Sequence, residues 1–121
     1  MQAILLVAHG DRDGEAEKVL SQIASDLRLR FPQQTIHQAV LLAYPEHLHV
    51  VNVLERLYAE GIHDFVVFPW FLFAGPHVRR DLPTLITQVQ LRHPDLTCAL
   101  LEPLGADPML LDLLQQRLGL S

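Results

Sequence analysis

Residues 3–10, Ala3-Ile4-Leu5-Leu6-Val7-Ala8-His9-Gly10, run through six apolar positions and end on an imidazole followed by glycine. An unbroken aliphatic run suits a parallel strand buried on both faces, because a half-exposed strand would alternate with polar residues. A second such run, Phe65 to Phe73, ends in the turn Ala74-Gly75-Pro76 and then His77. If both runs are parallel strands, both histidines emerge at carboxyl ends, the edge where open α/β sheets bind their ligands.

Outward from these runs the chain reads as four strand–helix units. Asp11 or Asp13 can cap a helix in which Ala16, Val19/Leu20, Ile23/Ala24 and Leu27 recur at helical spacing until Phe31-Pro32. A strand is expected over 35–42. Pro45 then opens a helix that closes at Gly61, a left-handed terminal residue. The strand 64–69 continues through Trp70-Phe71-Leu72-Phe73 into a loop. Asp81, with Pro83 in the first turn, is expected to start the next helix. A strand over 96–101 and a helix begun by Asp107-Pro108 complete the series. This alternation predicts a small flavodoxin-like, three-layer α/β domain. Its four-stranded parallel sheet runs in the order 2-1-3-4, with right-handed crossovers and helices on both faces. The switch point lies between strands one and three, where His9 and His77 end their runs.

At 121 residues, half of them hydrophobic, residues 1–121 are expected to form one domain. A net charge of −5 argues against nucleic acid as a partner. The lone Cys98 permits no internal disulfide and fits a reducing cytoplasm. The first apolar segment is too short for a membrane span and lacks the plan of a signal peptide. In 45–60, apolar residues cover roughly 220° of a helical wheel, whereas a helix on a sheet needs little more than about 100°. The surplus is either a subunit interface or a helix buried deeply among its neighbours.

Each chemical feature has a bland reading beside the functional one. His9 is either a buried histidine followed by a turn glycine, or a ligand or base at the binding edge. The equivalent position of His77 favours the second. Trp70 to Phe73 either finishes a core strand or floors a pocket for a flat, partly apolar ligand, which Gly75 lets the backbone approach closely. Arg12, Arg79 and Arg80 are either solvated or suited to an anionic substrate. His37, His47, His49, His63 and His93 are expected to be structural or exposed. There is no P-loop, dinucleotide-binding glycine pattern or nucleophile elbow.

Leu5-Leu6-Val7-Ala8-His9-Gly10-Asp11-Arg12-Asp13 resembles the opening of the short sirohydrochlorin chelatases of the CbiX type. The segment Pro69 to Pro83, which contains Phe71-Leu72-Phe73-Ala74-Gly75-Pro76-His77-Val78-Arg79-Arg80-Asp81, resembles their most specific motif. Pro103-Leu104-Gly105, followed by Pro108, resembles their ending. The resemblance implies a class II chelatase fold that inserts Co²⁺ or Fe²⁺ into sirohydrochlorin for cobalamin or sirohaem synthesis, working as a homodimer. The ion would be a substrate, with no permanently bound cofactor. It further implies that His9 and His77 hold the metal, His9 also accepting protons, and that Leu72, Phe73, Ala74, Gly75, Pro76 and His77 line the tetrapyrrole site. Tyr44 is placed with these substrate-binding residues. The likeness departs at Asp11, where the family has serine, and at Leu41 and Tyr44, where many members carry glutamates.

Insertion requires two pyrrolic N–H protons to leave while the ion passes to ring nitrogens. A neutral imidazole binds a borderline divalent ion, and histidine, with a reference pKa near 6.5, accepts protons at cellular pH. Two protein ligands, fewer than the three of a typical catalytic zinc site, suit an ion held in transit. The alternative is a protein that carries metal or tetrapyrrole without chemistry, which the missing carboxylates would favour.

Overall fold

The computed structural model describes residues 2–42 and 45–121. Its strands are β1 (Gln2–Ala8), β2 (Thr35–Val40), β3 (Asp64–Pro69) and β4 (Thr97–Leu100), and its helices are α1 (Glu15–Arg30), α2 (Val50–Ala59), α3 (Leu82–Arg92) and α4 (Pro108–Leu118). The sheet is parallel throughout, in the order β2-β1-β3-β4. The register sets Val7 beside Ala39 and Pro69, so β1 and β3 reach the same edge together.

Right-handed crossovers require the β1-to-β2 connection to pass one face of this sheet and the next two connections to pass the other. The packing follows. Leu6, Ala8 and Ile36 meet Leu20 and Ala24 of α1 on one side. On the other side Leu5, Val7, Phe65 and Val67 meet Val53, Leu54 and Leu57 of α2 and Ile86 and Val89 of α3. Each fully buried leucine here contributes about 1.5–3 kcal/mol of transfer free energy.

Several elements differ from the sequence reading. The helix expected over 45–61 is a 3₁₀ turn at Glu46–Leu48 followed by α2, separated by His49 in an extended conformation. His49 bridges to Val40 and so lengthens the β2 side instead of continuing the helix. Gly61 does take the expected left-handed conformation, with φ 98°. The broad apolar arc of α2 is covered from within the chain: Val50, Val53, Leu54 and Leu57 are buried, and Val51 and Tyr58 pack on the same core. The interface reading of α2 is therefore corrected.

The helix without cover is α4. Asp107 accepts the Met109 amide at 2.8 Å as its cap and Pro108 opens it, as expected. Yet no residue of α4 is buried, and Met109, Leu111, Leu114 and Leu118 are all at least half exposed. The β3–β4 half of the sheet face that carries α1 is similarly open, with Ala99 and Leu101 exposed.

His63 and His93, expected to be structural or exposed, sandwich Tyr58, with ring centroids 4.4 and 3.9 Å away. This cluster lies beside the start of β3, away from the edge that carries His9. Among the described residues no helix is long and apolar enough to cross a membrane.

Candidate active site

His9 leaves the carboxyl end of β1, and Gly10 follows it with φ 90°, a conformation that side chains with a Cβ rarely adopt. Amides of Leu41 and Leu42 donate to the Ala8 and His9 carbonyls at 3.0 and 2.9 Å, and Trp70 donates to Val7 at 2.7 Å. The backbone that carries His9 is thereby held from both neighbouring strands. The turn made possible by Gly10 brings its own carbonyl within 3.1 Å of His9 Nδ1.

His77 sits on a wide helical turn, His77–Asp81, that runs directly into α3. The helix thus begins one turn earlier than Asp81, the start expected from sequence. Pro83 explains the width. It has no N–H to donate, and its ring crowds the carbonyl four residues back. The Leu82 amide reaches the His77 carbonyl five residues back, and the Thr84 hydroxyl donates to the Arg80 carbonyl at 2.8 Å. Asp81 is helical itself and caps nothing. Its Oδ2 lies 3.0 Å from His77 Nδ1.

The two imidazoles meet edge to face, with ring centroids 4.7 Å apart and planes at 70°. A carbonyl and a carboxylate can only accept, so each Nδ1 carries the proton it donates and each neutral ring keeps its lone pair on Nε2. No third His, Cys, Asp or Glu joins the pair in a metal-binding group among the described residues. Leu41 is buried. Tyr44 lies outside the described residues.

Beside the pair, Trp70 packs against the α1-side core and Phe71 against the other, so the expected floor begins only at Leu72. Leu72 and Phe73 are 53% and 77% exposed, which leaves their apolar surface open to a ligand. They share a hollow of about 420 Å³ with Leu110, Leu113, Leu114 and Arg117 of α4. Ala74, Gly75, Pro76, Arg79 and Arg80 line another, of about 410 Å³. Arg12 is exposed three residues beyond His9, while Arg80 lies 3.7 Å from the second oxygen of Asp81. Asp11 accepts the Glu15 amide at 3.0 Å and so steadies the start of α1.

Sequence reasoning missed the Asp81–His77 bond. The four-residue spacing was its signal, but that spacing counts only once 77–81 is known to be helical. Cys98 takes no part: burial pushes its thiol up to about 11, a core residue's value.

The comparisons with known proteins agree on one family. The CbiX family model matches residues 3–120. This chain belongs to the CbiX family. It is 26% identical over 117 residues to the sirohydrochlorin cobaltochelatase of Sulfurisphaera tokodaii, which covers 97% of this chain and 91% of that protein. It is also 26% identical to the chloroplastic sirohydrochlorin ferrochelatase of Arabidopsis thaliana, over 95% of this chain and 50% of that one. A CbiX protein of Marinobacter aquaeolei described as a putative cobalamin biosynthesis protein superposes with a TM-score of 0.75 at 28% identity, over 98% of both chains. The sirohydrochlorin chelatase SirB of Bacillus subtilis, solved with cobalt, shares the fold with a TM-score of 0.83 at 23% identity, and this chain matches 50% of its length.

Proposed function

We propose that this CbiX chain inserts a divalent metal, Co²⁺ or Fe²⁺, into sirohydrochlorin or a closely similar tetrapyrrole. The observation that carries the proposal is the 4.7 Å approach of His9 and His77 with both Nδ1 atoms already engaged. In this reading the ion is a substrate held by the two Nε2 lone pairs. Having only two protein ligands lets the ring nitrogens replace them as two protons leave the macrocycle. His9 takes up one of these protons at Nε2 as the ion departs, and the other passes to solvent. Leu72 and Phe73 support the apolar face, the Ala74-Gly75-Pro76 turn admits its edge, and Arg12, Arg79 and Arg80 meet its carboxylates. Tyr44, outside the described residues, is assigned with them to substrate binding.

The product would enter cobalamin or sirohaem synthesis in the cytoplasm, as relatives of both metal specificities and the lone, half-buried thiol suggest. Residues 1–121 act as one chelatase domain, and two copies form the working unit. The exposed leucines of α4 support that assembly, as does the match to half of a SirB chain. A carrier without chemistry is the competing reading, favoured by the want of a third metal donor among the described residues.

The test mixes purified protein, sirohydrochlorin and Co²⁺ or Fe²⁺ and follows the visible spectrum against a protein-free control. Multiple turnovers above the control rate are expected, with His9→Ala and His77→Ala each lowering the rate at least about 100-fold, the usual scale for a group engaged in proton transfer. Stoichiometric binding without acceleration would favour the carrier.

A further inference from the structure

We propose that Asp81 is a positioning residue for His77, fixing by its carboxylate which ring nitrogen is offered to the ion. The inference rests on the reading of His9 and His77 as metal-holding residues. It is carried by what Asp81 does and does not touch. The residue stands where a helix cap is expected, yet its backbone is helical and its side chain accepts no amide. Instead Oδ2 takes the His77 Nδ1–H at 3.0 Å. The other oxygen, Oδ1, lies 3.7 Å from Arg80 Nε. Both oxygens are therefore directed by neighbours on the same wide turn, which exists because Pro83 displaces the hydrogen-bond ladder.

The pair is about half exposed, at 50% and 44% for the two side chains, so it adds little to folding. What it does change is the ring. A free neutral imidazole can protonate either nitrogen. A carboxylate at Nδ1 selects one tautomer, orients the plane and makes Nε2 a stronger donor, as carboxylates behind metal-bound histidines generally do. Among the described residues His9 has no such side chain behind it, and its Nδ1 meets the Gly10 carbonyl. Among the described residues, His77 is thus the ring of the two that can be altered through a separate side chain.

The experiment compares wild type, Asp81→Ala and Asp81→Asn by nitrogen-detected NMR of the metal-free protein, by Co²⁺ titration and by KM and kcat. The Nδ1–H form of His77 should dominate in wild type, weaken in Asp81→Ala and recover in Asp81→Asn, which still offers an oxygen acceptor. Co²⁺ affinity should fall 10–100-fold in Asp81→Ala, the range known for such partners. KM for metal should rise and KM for tetrapyrrole hold, with Asp81→Asn between the two. Unchanged His77 tautomer and Co²⁺ affinity in a folded Asp81→Ala protein would overturn the proposal. So would equal losses in both variants. If wild type shows the tautomer and Co²⁺ effects but no metallation, the chelatase reading fails while the positioning role stands.

Discussion

Gly10 makes His9 usable. At φ 90° the chain after His9 turns back so that the Gly10 carbonyl can meet the Nδ1 of the ring that precedes it. Alanine at this position would pay about 1–2 kcal/mol for the left-handed backbone. The Gly10→Ala protein should therefore lose that much stability by urea titration. It should also lose metallation activity beyond the stability change, because the carbonyl no longer meets Nδ1. An unchanged rate would mean that His9 needs no such support. The glycine and both histidines were legible in the sequence from their places after aliphatic runs. The carboxylate behind His77 was not. Asp81 beside Pro83 has the composition of a helix start, and only the wide turn reveals that the helix already exists at His77. Phe71 shows the converse: within one aromatic run, sequence cannot separate the residue that faces the core from Leu72 and Phe73, which do not.

At the scale of elements, α2 and α3 are tied together far from the site. Tyr58 donates to Asp95 at 2.5 Å, His93 to Glu55 at 2.9 Å, and Arg92 to Glu55 at 3.0 Å. The Tyr58 hydrogen bond holds the Asp95 carboxyl below its usual range and raises Tyr58, while the His93 hydrogen bond lowers Glu55. Depressed carboxyls stabilise the fold above their unfolded values, near 4, and lose that contribution as pH falls through the folded values. The raised Tyr58 stabilises below its unfolded value, near 10, and loses it as pH rises through the folded one. Tyr58→Phe should flatten both wings of a urea-midpoint profile against pH, relative to wild type. Superimposable wings would show that the cluster contributes nothing. The sequence contained His63 and His93 but not their meeting, which depends on α2 and α3 packing side by side. The strand order, by contrast, followed from the aliphatic runs and crossover handedness, and the structure has it as expected.

For the whole molecule, the unsettled surface lies on α4. Leu111 and Leu118 are seven residues apart, share one side of the helix and are 65% and 62% exposed. Monomeric proteins rarely leave such contiguous apolar surface uncovered. The sequence suggested a dimer from α2, because an apolar stripe does not say which neighbour will cover it. α2 found its cover at home, and α4 did not. Sedimentation should give a dimer for the wild-type chain and a folded monomer for the Leu111→Glu/Leu118→Glu double variant. A wild-type monomer at micromolar concentration would remove the dimer from the account.

The joint use of His9 and His77 is tested most directly by anomalous diffraction from a crystal soaked in Co²⁺. One cobalt peak within bonding distance of both Nε2 atoms, about 2.1 Å as for other first-row metal–imidazole bonds, is the expected result. Cobalt bound elsewhere, with neither ring as a ligand, would contradict it.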